Sequence, residues 1–241
     1  MTILSVVREV CGVVGVVKPS SLFASINSNR TMQEMLDLAN EMAQRIAYDN
    51  REWTRMKTSV TYQGNGVTTA FNLPANYKRM LLTSNVWRST SSQQPMRFIA
   101  DTDEWMQRRA ANWYDAWGEW TLLGEQMLIQ PVMGAGVTAT FSYLDKYCVK
   151  LGALPAGQLS DTFVADTDSF RLDERILKLG MIWQWKANKG SPYAEDMGTY
   201  TDAIAMAFGA DKPSPIIIDR APASAAARVS TSWPPGWGPQ P

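Results

Sequence analysis

The apolar spacing of this chain changes twice, and no single regular architecture accommodates both changes. In "TMQEMLDLANEMAQRIAYDNREW", residues 31–53, Met32, Met35, Leu36, Ala39, Met42, Ala43 and Ile46 recur at helical spacing. From residue 57 the period becomes two: "KTSVTYQGNGVTTAFNLP" carries Val60 and Tyr62, then Val67, Thr69 and Phe71. From residue 171, "RLDERILKLGMIWQWKANKG" returns to a helical pattern, with acids in front, lysines behind and Gly190 closing it. Strands gathered in the middle and helices at both sides predict an α+β fold: a helical bundle with an inserted antiparallel β domain.

Within that frame the expected elements follow from local signals. "MTILSVVREVCGVVGVV" reads as a short amphipathic helix packed on the rest, since Arg8, Glu9 and Gly12 interrupt any membrane or signal span. Pro19-Ser20-Ser21 ends it, and a polar loop runs to Arg30. Thr31 and Glu34 stand in capping-box register, and Trp53 is placed as a plug at that helix's end. Asn65-Gly66 predicts a hairpin turn. "YKRMLLTSNVWRS" and residues 95–100 read as further strands, and "DTDEWMQRRAAN" as a helical insert with Asp101 and Glu104 as cap partners. "EWTLLGEQMLIQPVMGAGVTATFSYLDKYC" supplies three strands; in the last, Val137, Ala139, Phe141 and Tyr143 alternate with polar residues. "LGALPAGQLSDTFVAD" reads as a linker. Ser191-Pro192 then opens a last helix with a stripe of Tyr193, Met197, Tyr200, Ile204 and Phe208, joined to the preceding one in a tight hairpin.

The expected organisation is therefore residues 1–56 as N-terminal helices, 57–148 as the β domain, 149–210 as linker and helical hairpin, and 211–241 as an extended C-terminal arm. That arm holds seven of the chain's thirteen prolines and lacks a helical or strand period. An arm that orders on a partner loses roughly 1–2 kcal/mol of backbone entropy per residue, so it needs anchors. "PIIID" offers Ile216, Ile217 and Ile218 as a β-prone run that adds to a strand edge; "WPPGW" offers Trp233 and Trp237, stiffened by Pro234 and Pro235.

Composition narrows the chemistry. Histidine is absent, which removes Ser-His-Asp and Cys-His centres together with the commonest metal ligand. Lysine plus arginine equals aspartate plus glutamate at 23 each, which argues against a nucleic-acid sheath. Cys11 and Cys148 are far apart and form no C-x-x-C pair; both are expected as small buried hydrophobes, with too few soft ligands for zinc and no cofactor implied. In the helix at 171–190, Ile176, Leu179, Trp183 and Trp185 are expected to fill the bundle core or a contact between subunits. Trp183 and Trp185 point about 200° apart. The single-chain expectation places one against the bundle and the other against the β domain.

Taken in order, "REW" at the end of a helix, "GNG…TAFNLPANYKRM", "LLGEQMLIQP" and "DTDSFRLDERILKLGMIWQWKANKGSPYAEDMGTY" give residues 1 to about 210 a pattern that resembles the head-to-tail adaptors, or head-completion connectors, of short-tailed bacteriophages. The resemblance implies a structural virion protein of the neck. Such adaptors form a ring of identical subunits, generally twelve, beneath the portal protein. They continue the channel for genomic DNA, without sequence-specific binding, towards a downstream tail or nozzle protein. Their C-terminal extensions climb along the portal, here the segment carrying Ile216 to Ile218 and Trp233 to Trp237. No membrane takes part, and assembly occurs in the host cytoplasm. The alternative is a virion-associated peptidoglycan hydrolase or sugar-binding tail protein. There Asp101, Asp103, Glu104 and Glu119 would supply carboxylates, beside Trp105, Trp113, Trp117 and Trp120 as sugar platforms.

Overall fold

A computed structural model describes residues 1–26, 28–49, 51–90, 93–152 and 157–211. Helix α1 (Ile3–Val14) starts on Thr2, whose side chain accepts from the Ser5 amide, and stops at Gly15 in the left-handed region at φ 74°. Ile3, Val6, Val7, Val10 and Cys11 form its buried stripe. The stretch expected as a loop contains a one-turn helix, α2 (Leu22–Ser25), which Ser21 caps. Helix α3 (Arg30–Tyr48) begins one residue before the expected capping box. Asn29 supplies the cap by accepting from the Thr31 amide at 3.0 Å, which leaves Glu34 to pair with Arg30 and Lys189 instead. The methionine stripe is buried as its spacing requires, although Leu36 is half-buried and Leu38 is inside.

The β region is a pair of facing sheets. Strands β1 (Lys57–Gln63), β2 (Ala70–Asn72), β3 (Tyr77–Met80), β4 (Trp87–Arg88) and β5 (Arg97–Phe98) precede helix α4 (Thr102–Ala110). Strands β6 (Glu119–Leu123), β7 (Gln126–Gln130) and β8 (Thr138–Asp145) follow it. One sheet has β1 along one edge of β8 and β3 and β4 along the other; the second runs β2-β7-β6-β5. Their facing sides share one core of Val86, Met96, Trp120, Met127, Ile129, Met133, Ala139, Phe141 and Tyr143.

Three expectations are corrected here. Asn65-Gly66 does not close a hairpin, because β1 pairs with β8 and β2 with β7. Asn65 does form a turn, accepting from the Val67 and Thr68 amides, but that turn carries the chain from one sheet to the other. Gly64 makes the crossing possible: a Cβ there would lie 2.5 Å from the Gly134 carbonyl oxygen. The tight two-residue hairpin is Gly124-Glu125, between β6 and β7. Residues 77–89, expected as one strand, are two short ones on the same edge. Finally, β5 runs parallel to β6, so the region is not wholly antiparallel.

The expected linker at 151–166 also proves structured in its described part. Strands β9 (Val149–Lys150), β10 (Leu159–Ser160) and β11 (Ser169–Phe170) make a small sheet in the order β10-β9-β11. Asp168, fully buried, accepts from the amides of Gly152, Val164 and Ala165 at 2.8–3.0 Å. Asp166 accepts from Ser21 and from the Leu22 and Phe23 amides, fastening the front of α2. The final helices are α5 (Glu174–Asn188) and α6 (Ala194–Asp211). Ser191 and Pro192 lie ahead of α6 rather than in its first turn. The early helices α1 and α3 pack on α5 as expected, and this second core also takes in Met56, Leu144, Cys148, Val149, Phe163, Phe170 and Leu172. No helix among the described residues is long and apolar enough to cross a membrane.

Candidate interaction surface

Helix α5 is enclosed by its own chain. Asp173 caps it, accepting from the Arg175 amide at 2.8 Å, and Ile176, Leu177, Gly180, Met181, Ile182 and Trp185 are buried. Leu179 is half-buried. Gly180 is the point of closest approach, where a Cβ would meet Met42 of α3 at 2.6 Å and Tyr200 of α6 at 3.3 Å. The expected division of the two tryptophans is corrected: neither faces the β sheets. Trp185 packs in the helical core, with the Lys189 ammonium 4.7 Å from its ring centroid. Trp183 turns the other way, against Tyr193 and Tyr200 at centroid distances of 6.4 and 6.0 Å. Helical neighbours on both sides, α3 and α6, satisfy the apolar faces that the sequence left unassigned.

Helix α6 is different. None of its residues is buried, and only Tyr200, Ile204, Ala207 and Phe208 rest on the helical core. Of the stripe expected from its sequence, Tyr193 and Met197 stay exposed. Its last turn is nevertheless fastened. Phe208 meets Trp53 edge-on at 5.5 Å, while the Trp53 indole donates to the Ile46 carbonyl at 2.8 Å, so Trp53 is the plug its position predicts. The Arg51 guanidinium sits 4.6 Å from the Phe208 ring centroid. Asp211, assigned to the arm by sequence, is the final residue of α6; its carboxylate accepts from the Thr54 amide and lies 3.6 Å from Arg55. A cleft of about 270 Å³ opens beside it, lined by Trp53, Arg55, Leu172, Asp173, Ala207 and Asp211 among others.

Beyond that anchored end lie residues 212–241. The arm anchors named from sequence, Ile216, Ile217, Ile218, Trp233, Pro234, Pro235 and Trp237, all lie outside the described residues.

The carboxylates singled out in the β region have structural partners. Asp101 caps α4 by accepting from the Asp103 amide; no reciprocal capping bond from Glu104 is formed, because Glu104 pairs with Arg108 at 2.8 Å and Arg97 at 3.5 Å. Glu119 is fully buried, 2.6 Å from Arg108, and also accepts from the Asp115 amide and Gln130. Trp105 and Trp120 are core residues, Trp117 is half-buried, and Trp113 is exposed with Arg108 over its ring. The four tryptophans therefore do not line one open face.

Titration behaviour follows the same division. Burial pushes the Cys148 thiol up to about 11 and raises Cys11 as well, so both are protonated, inert core thiols. Burial pushes Glu52 up, but the Leu82 amide and the Arg79 guanidinium outweigh it and hold that carboxyl below its ordinary value. The connection from α3 into β1 is thereby tied to β3. No group of three or more His, Cys, Asp or Glu side chains suited to a metal ion occurs among the described residues. The chain matches no protein-family profile and no curated protein sequence.

Proposed function

We propose that this chain is a structural virion protein, a head-to-tail adaptor that sits below the portal as a ring and docks on it through residues 212–241. The observation that carries the reading is the contrast at the C-terminus. Helix α6 is bare on its outer side yet pinned at its last residue, directly before a proline-rich segment bearing Trp233 and Trp237. An anchored base followed by aromatic anchors suits a segment that must carry load into a partner. Structural partners for Asp101, Glu104 and Glu119 favour this reading over the sugar-directed alternative, which would need free carboxylates facing a shared aromatic groove.

The test is a chain ending at Asp211, compared with the full chain for attachment to purified portal rings. Attachment should be lost while the thermal midpoint stays within about 2 °C, since Asp211 and its contacts are retained. Attachment that survives, or a collapse of the fold, would refute the assignment of the terminus as the grip.

A further inference from the structure

Strand β1 is the longest edge strand among the described residues, and its outer side is bare. It runs seven residues without a bulge, paired with β8 throughout. The Gly64 amide donates to the Val137 carbonyl, so by antiparallel alternation Thr58, Val60 and Tyr62 exchange backbone bonds with β8. The amides of Ser59, Thr61 and Gln63 then point away from the sheet, and no backbone partner meets them among the described residues. Sheet edges are ordinarily blunted by charge, proline, a bulge or brevity. Here Lys57, at the very start, is the strand's one charged residue, and the strand contains no proline.

The flank beside that edge is apolar. Tyr62 of β1 stacks on Phe71 of β2 with ring centroids 4.9 Å apart, so these edge strands of the two sheets lie on the same side of the sandwich. Val60, Tyr62, Phe71 and Leu73 all pack against the core between the sheets, yet each stays half-buried. That side is therefore open both in backbone hydrogen bonds and in apolar cover. One more strand, with apolar side chains at alternate positions, would supply both.

The same chain holds such a strand within reach. Asp211 accepts from the Thr54 amide, and Phe208 and Lys57 line one cleft of about 520 Å³, so residue 212 starts beside the entry to β1. Ile216, Ile217 and Ile218 are the chain's one run of three isoleucines, with Pro215 in front, where a strand tolerates proline. Lys212 and Ser214 each precede a proline, which biases their backbone towards extended conformations. The four steps from residue 211 to residue 215 span up to about 13 Å, more than twice the spacing between neighbouring strands. We propose that residues 215–219 lie along the free edge of β1 in their own chain, with Ile216 and Ile218 over the open flank of the sandwich. Departure from the entry of β1 makes the pairing parallel. The occupant is the chain's own segment because so short a tether holds it at high effective concentration beside that edge. This goes beyond the portal-binding reading and divides the terminal segment: its root fastens to the body, and residues 220–241, with Trp233 and Trp237, extend onward.

Amide hydrogen exchange, read residue by residue on the dilute full chain without portal, tests this. Ser59, Thr61 and Gln63 should exchange about tenfold more slowly than in a chain ending at Asp211. Thr58, Val60 and Tyr62, bonded to β8, should change less than about twofold. The full-length variant I217P/I218P should behave as the short chain does, since successive prolines remove an amide whichever way the strand faces. I216V/I217V/I218V should keep the native rates. A contact of that size detaches before the body unfolds, in keeping with the unchanged thermal midpoint expected of the chain ending at Asp211. Equal rates at Ser59, Thr61 and Gln63 in the full and short chains would overturn the proposal. Protection that grows with protein concentration would assign the strand to another copy and overturn it as well. Because portal takes no part in the measurement, either failure leaves the adaptor reading standing.

Discussion

Helices α5 and α6 are consecutive, joined by a few residues and similar in length, yet they live in opposite circumstances. Helix α5 buries six residues and touches α1, α3, α6 and β11; α6 buries none and leans on one side only. Sequence hydropathy alone does not separate them, because α6 is rich in Ala, Met and Gly. What separates them is how many partners the topology brings to each. A helix enclosed on several sides draws stability from packing, whereas a helix held along one edge sits at the low end of the local opening scale.

The comparison breaks most visibly if the enclosed side can be emptied at little cost. Trp185→Ala should lower unfolding free energy by about 3–5 kcal/mol in urea titration, with one transition for the whole helical region. A loss below about 1 kcal/mol would mean that α5 is not packed as described.

A smaller effect tests whether the enclosed side is dry. The Cys148 thiol is raised from an ordinary 9.0 to about 11 in the folded chain. A raised folded value means that the associated stability is fully present below pH 9 and is lost as pH climbs through the folded value. The native protein should therefore lose about 2 kcal/mol between pH 9 and 11 that Cys148→Ala does not lose, measured as the difference in slope between the two chains. Equal slopes would place water at the thiol.

The mildest change sharpens the other half of the contrast. Phe208→Ala removes a half-buried ring from Trp53 and should cost about 1–2 kcal/mol. Faster amide hydrogen exchange should be confined to residues 194–211, with the amides of α5 still protected. Exchange that rises equally in both helices would show that they open as one unit.

The helices were largely legible in the sequence, and the strand pairing was not. Period 3.6 is a local signal, so the buried positions of α3 and α5 could be read from spacing. Pairing in the sheets is not local: Lys57 meets Leu144 and Phe71 meets Met127. Asn65-Gly66 is a genuine turn whose neighbours go to different sheets, beside a Gly64 that approaches Met133 and Gly134 too closely to carry a side chain. The two-residue strands β9 to β11 are too short for any period to register. Nothing in the sequence marks out Asp166 and Asp168, because their work is to accept from backbone amides that only the fold brings near.

The surface residues were legible in part. Trp53 was placed correctly because a large ring just past an amphipathic helix has few other places to go. Trp183 and Trp185 were correctly set on opposite faces of α5, but their partners depended on where α3 and α6 arrive. Asp211 was assigned to the arm because composition changes there, whereas its carboxylate belongs to the folded body.

The grip of Asp211 on Thr54 has a mechanical consequence. Thr54–Met56 leads straight into β1, which pairs along its whole length with β8. Tension applied beyond residue 211 therefore has a short route into the sheet through that carboxylate, in parallel with the longer one through the α6 backbone. The helix is shielded from peeling until that clamp gives way.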